Sequence, residues 1–174
     1  MSGEAHEVED IRALAERYRL VVQRSNRGHY VAAERAETRG RVLGIASVML
    51  GAVVGTSIFA TIQSSPSVDW RVAAGILVTG AAVLGAMHTF LDYAKRAAEH
   101  RTAGAAYGRL RREFDSFFLE LATSEDRQQL IDSLSKLRHR IDDLGQESPL
   151  IPRQSYKAGL RALSKSADPT RSAA

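Results

Sequence analysis

Five histidines and no cysteine bound the chemistry open to this 174-residue chain. Without a thiol there is no disulfide framework, no thiolate metal site and no cysteine nucleophile. His88 stands four residues before Asp92 at the end of an apolar run, on one helical face, where the two side chains would line a water path or sense a proton. The plainer role for His88 is an interfacial imidazole bonded to a backbone carbonyl. His29 and His100 lie on the apolar stripes of two charged helices, accompanied by Tyr30 and Tyr107, and packing is their expected role. Neither has a second histidine at metal-ligand spacing, so neither a metal nor a cofactor is expected. There is no Ser-His-Asp order, phosphate loop or carboxylate pair in a cleft context, and the chain reads as a non-enzyme.

The elements that would position these residues are dominated by two uncharged runs. Val42 to Ile62 contains no Lys, Arg, Asp or Glu, and neither does Val72 to Leu91. About 20 apolar residues cross a hydrocarbon layer of about 30 Å, so each run is long enough for a membrane span. The Val, Ile, Leu and Phe of the first run contribute about −3 to −6 kcal/mol toward insertion, and the second run is the weaker span. The competing possibility, two central helices of a soluble bundle, lacks support because neither run keeps a polar stripe. The pair is predicted to form a helical hairpin. Gly44, Ser47, Gly51 and Gly55 fall on one face of the first span, with Ala81 and Gly85 on a face of the second. Small residues at such spacings allow close backbone approach, either within the hairpin or between copies of the chain.

The flanks read as helices that leave the membrane. From about residue 4 to 41 an apolar stripe runs through Ile11, Leu14, Tyr18, Val21 and Val22 and thins toward His29, Ala32 and Ala33. From 92 to 122, Tyr93, His100, Tyr107, Phe114 and Leu121 recur every seven residues, with Ala103, Leu110 and Phe117 between them. That is the pattern of a coiled-coil seam. Its natural partner is the N-terminal helix, antiparallel to it, with a second chain as the alternative. Thr123 and Asp126 suggest a capping box for a helix over 124–144 that Gly145 would end, and SPLIP precedes a short helix over 152–164. The expected fold is therefore all-α and integral to the membrane. It has two transmembrane helices extended into long cytoplasmic helices that pack as an antiparallel coiled coil, plus one or two shorter C-terminal helices. Residues 1–166 form a single domain in this reading, and 167–174 a disordered tail.

Charge sets the expected orientation. Arg24, Arg27, Arg35, Arg39 and Arg41 precede the first span, and Lys95, Arg96, Arg101, Arg109 and Arg111 follow the second, whereas the loop between offers only Arg71. By the positive-inside tendency both termini face the cytoplasm and the loop with Pro66 and Trp70 lies outside. Residues 1 to 41 show no removable signal peptide. The net charge of +4 resides in Arg153, Lys157, Arg161, Lys165 and Arg171, opposed only by Asp168, while the rest of the chain is balanced. Nucleic acid is not an expected partner, since no stacking aromatics are interleaved with the cations. The basic end suits anionic headgroups or simply a solvated helix.

Three stretches together resemble the SLATT domain, a bacterial two-span membrane module of nucleotide-second-messenger and anti-phage conflict systems. HYVAAERAETRGRVLGIASVML is similar to its approach to the first span, AEHRTAGAAYGRLRREF to its exit helix and IPRQSYKAGLRAL to its closing helix. The resemblance implies an oligomeric inner-membrane effector that forms a pore or disrupts the bilayer in abortive infection. It also implies that a sensor protein or a nucleotide second messenger, supplied in trans, activates it. The alternative is a non-conducting, membrane-tethered scaffold whose helices recruit a cytosolic partner.

Overall fold

The computed structural model describes residues 2–62, 68–124 and 126–166, and every regular element among them is an α-helix. They are α1 (Ser2–Ile62), α2 (Val68–Leu91), α3 (Tyr93–Thr123), α4 (Arg127–Glu147) and α5 (Arg153–Ser166). The expected outer loop around Pro66 and the expected C-terminal tail lie outside the described residues. The chain divides into two compact units: a bundle built from the first 34 residues together with those from Ala98 onward, and a hairpin spanning Arg35–Ala97.

In the bundle, the first part of α1 runs antiparallel to α3, with Arg19 paired to Asp115 at 2.8 Å and the Asn26 amide donating to the Gly104 carbonyl at 2.6 Å. α4 lies against both, its Arg127 paired with Glu7 of α1 and its Arg140 with Glu113 of α3. The core consists of Ile11, Ala15 and Val22 from α1, Tyr107, Leu110, Phe114 and Phe117 from α3, and Leu130, Leu134 and Leu137 from α4. On α1 the positions 11, 15, 18, 22, 25, 29 and 32, at alternating steps of four and three, are all buried or half-buried, and others beside them, among them 28 and 33, are covered too. This corrects the expected stripe. Leu14 and Val21 are exposed, and the small Ala15 takes the inward place because it keeps the repeat of 3.5 that a close antiparallel neighbour selects.

Two expected helix boundaries are also corrected. Thr123 is the last residue of α3 and its hydroxyl donates to the Leu119 carbonyl, so it does not cap α4. Asp126 does, with extended backbone and a carboxylate that accepts from the Gln129 N–H at 3.1 Å. Gly145 does not end α4. The helix continues to Glu147, and the Ser148 N–H closes it on the Leu144 carbonyl at 3.0 Å. Asp126→Ala is expected to lower the bundle's stability by about 1 kcal/mol, read as a shift of the urea midpoint, whereas Thr123→Ala leaves it within about 0.5 kcal/mol.

The hairpin pairs the second part of α1 with α2. A Cβ on Gly40 would stand 2.9 Å from that of Tyr93, and one on Gly80 would meet Leu50 at 3.7 Å. The long helices that carry the two apolar runs are long and apolar enough to cross a membrane, and none of the residues in the most apolar stretch of either is buried. Val48, Ile76 and Phe90 stand open on their outer faces. α2 gives way to α3 at one residue, Asp92, whose φ of 36° lies in the left-handed region. Aspartate tolerates that conformation better than most residues, and here its carboxylate also accepts from the Lys95 N–H at 3.2 Å.

Candidate functional site

The two 3.5-residue stripes of the bundle are apolar except at one level, where they bring histidines face to face. His29 of α1 and His100 of α3 place their Nδ1 atoms 3.0 Å apart in a buried position. Their rings tilt by 44° at a centroid separation of 5.3 Å. Tyr107, two turns farther along α3, stacks on His29 at 5.5 Å with an interplanar angle of 19°. Its phenol shares hydrogen bonds with Ser25 of α1 and with Ser148, the residue that closes α4. Five side chains from α1, α3 and the connector after α4 thus form one polar layer, with His29, His100 and Tyr107 buried and Ser25 and Ser148 half-buried at its edge. No buried side-chain nitrogen or oxygen among the described residues lacks a partner.

Such a layer holds together only in a defined protonation state. In the neutral pair one imidazole donates its Nδ1–H to the lone pair of the other, which fixes opposite tautomers on the two rings. Burial, and after it the nearness of His100, lower the His29 pKa from 6.5 to about 4. Burial also lowers the His100 pKa, against the opposing pull of Glu99. The Tyr107 phenol is pushed up by burial, offset in part by its hydrogen bonds to Ser148 and Ser25. Among the described residues no group of three or more His, Asp or Glu side chains is placed to hold a metal ion.

Around it the helices approach closely. The ring of exposed Tyr30 lies over Gly104, 3.3 Å from where a Cβ would stand. α5 crosses α1 backbone to backbone, since a Cβ on Gly159 would come within 3.1 Å of the Gly28 nitrogen. Ile151 and Tyr156 cover Gly28 beside that crossing. Leu110 and Phe114 continue the stripe below the polar layer and are fully buried.

The chain matches over residues 12–174 the family SLATT_4, described as SMODS and SLOG-associating 2TM effector domain family 4. It belongs to this family. Comparison with curated proteins and with solved structures gave no match. The family's two-span description and the two unburied apolar helices together mark this SLATT_4 chain as a membrane protein of SMODS- and SLOG-associated conflict systems.

The other residues singled out in the sequence lie in the hairpin of this SLATT_4 domain. Gly44, Ser47 and Ala81 are partly covered, and the Ser47 hydroxyl donates to the Leu43 carbonyl at 2.9 Å. Gly51, Gly55 and Gly85 have nothing within 4 Å of where a Cβ would stand, so these three do not close the hairpin. Gly40 and Gly80 make its close approaches instead. Asp92 is exposed and caps α3, and the side chain of His88 lies outside the described ones. Sequence reasoning placed His29 and His100 on their stripes without pairing them, and it missed Ser148 altogether.

Proposed function

We propose that the chain is an oligomeric effector of the bacterial inner membrane, with both termini in the cytoplasm, that opens a pore or breaks the bilayer when a conflict system is triggered. The observation that carries this reading is that no residue in the most apolar stretch of either helix is buried, in a family of two-span effectors. Water will not dissolve such surfaces and lipid will. Two helices cannot enclose a water path, so a conducting form requires several copies. The open faces at Gly51, Gly55 and Gly85 offer the close approach that helices use to associate in lipid. Activation comes from a sensor protein or a nucleotide second messenger supplied in trans, and no catalytic step or nucleic acid is involved.

The reading is tested by expressing the chain with its genomic neighbours in bacteria carrying a membrane-potential dye. Collapse of the potential on activation is expected. The pair Gly51→Leu and Gly55→Leu should abolish the collapse while leaving the protein in the carbonate-washed membrane fraction. An intact potential under every activating condition overturns the proposal.

A second reading, a non-conducting scaffold, is favoured by one observation. Between α1 and α3 of the bundle runs a groove of about 550 Å³ lined by Arg12, Arg19, Leu20, Asp115 and Phe118. Under that reading the Gly51→Leu and Gly55→Leu pair retains full function.

A further inference from the structure

We propose that His29 and His100 are a proton-operated latch, which holds the α4–α5 connector on the bundle while the pair carries a single proton between its Nδ1 atoms and releases it when both nitrogens are protonated. This inference rests on the bundle alone and does not require that the membrane helices conduct.

The geometry defines the states of the pair. With both rings neutral, one Nδ1–H donates across the 3.0 Å gap. A first added proton goes to Nε2 of the donating ring and leaves an N–H⁺···N bond between the Nδ1 atoms intact. A second leaves two N–H groups pointing at each other, both rings cationic, in a place where neither is hydrated. Parting the rings relieves this conflict. Because Tyr107 is stacked on His29 and hydrogen-bonded to Ser148, parting the rings also strips the connector of its anchor.

The surroundings leave the pair little help in bearing charge. From α3 it faces Glu99, whose carboxylate favours a proton on His100, and the Tyr107 phenol. From α1 the neighbours Ser25 and Asn26 are uncharged, and the cations Arg24 and Arg27 of that helix are exposed. From the connector comes the Ser148 hydroxyl. α5 adds the Tyr156 ring beside Gly28, while its cations Arg153, Lys157 and Arg161 stand on the exposed side. Among the described residues no acid figures in the causes that set the His29 proton affinity, and its strong depression agrees with the geometry. Two nitrogens without a third donor make a poor metal site, whereas for a proton they are sufficient.

The chain has no cysteine, so two reporter cysteines suffice to watch the latch. Full-length protein carrying Arg17→Cys and Arg161→Cys is spin-labelled, diluted with unlabelled chain in lipid nanodiscs, and its label-to-label distance measured from pH 7.5 to 4.5. One short distance is expected at pH 7.5. A longer population should replace it as the pH falls, growing more than tenfold per pH unit because two protons drive it. In the His29→Asn/His100→Asn variant, whose amides can bond without titrating, the short distance should persist throughout. Glu99→Gln, which removes a charge that eases a proton onto His100 and stays beside it on α3 when the rings part, should move the transition to more acid pH. An unchanged distance in the parent chain overturns the proposal, as does an equal transition in the double variant. Should the double variant fail to hold the short distance at pH 7.5, Glu99→Gln decides: a transition that stays put or moves toward neutral pH overturns the latch.

Discussion

Between pH 7.5 and pH 4 the helical bundle is expected to lose about 3 kcal/mol of stability through His29 alone, the consequence of a pKa lowered from 6.5 to about 4. The sign follows from where the proton binds. Below pH 6.5 the unfolded chain takes a proton on this ring and the folded one does not, so stability is complete above pH 6.5 and drains away as the pH approaches 4. His100, whose affinity is lowered for the same reason, adds to the loss. A loss of this size is a large share of the 5–15 kcal/mol typical of a domain. Urea titrations of the full chain at pH 7.5, 6 and 4.5, followed by helical circular dichroism, check it. His29→Asn should be less stable than the parent at pH 7.5 yet lose less across the same range, the remaining loss being that of His100. A parent chain as stable at pH 4.5 as at 7.5 would show that the ring protonates freely in the fold.

Phe114→Ala is expected to cost about 3–5 kcal/mol, the largest effect of any single truncation in the bundle. Phe114 is fully buried, and it is the largest side chain in the core of which that is true. It shares that core with Val22, Leu110, Phe117 and Leu130 from three helices, so the void left behind cannot close by moving one element. Leu119→Ala, five residues on, removes a side chain that is 72 % exposed and should change stability by less than about 0.5 kcal/mol. The urea midpoints of the two variants at equal slope measure the contrast.

How far the sequence led depends on which signal each residue carried. The seven-residue recurrence from His100 to Leu121 on α3 was plain because large side chains mark it, and of those positions His100, Tyr107 and Phe114 are buried and Leu121 half-buried. On α1 the same repeat is written partly in Ala15, Ser25 and Ala32, which hydropathy scarcely registers, so the bulkier Leu14 and Val21 drew the stripe onto the wrong face. Asp126 and Thr123 both have the chemistry of a cap, and which of them acts depends on where α3 stops, a tertiary matter. The two apolar runs needed no context, since length and the absence of charge suffice. The polar layer was the least legible part. It joins residues 25, 29, 100, 107 and 148, and one of them sits in a proline-flanked break that reads as punctuation.

That break carries a restriction of its own. Ser148 fastens the last turn of α4 with its N–H and meets Tyr107 with its hydroxyl, and four residues later the Pro152 carbonyl already accepts from Ser155 and Tyr156 at the start of α5. The stretch is therefore taut at both ends, like a watch strap on its last hole. Relatives of this chain should vary freely in which apolar residues fill Leu150 or Ile151, but a deletion or insertion there would leave α5 out of step with the glycine crossing it has to meet.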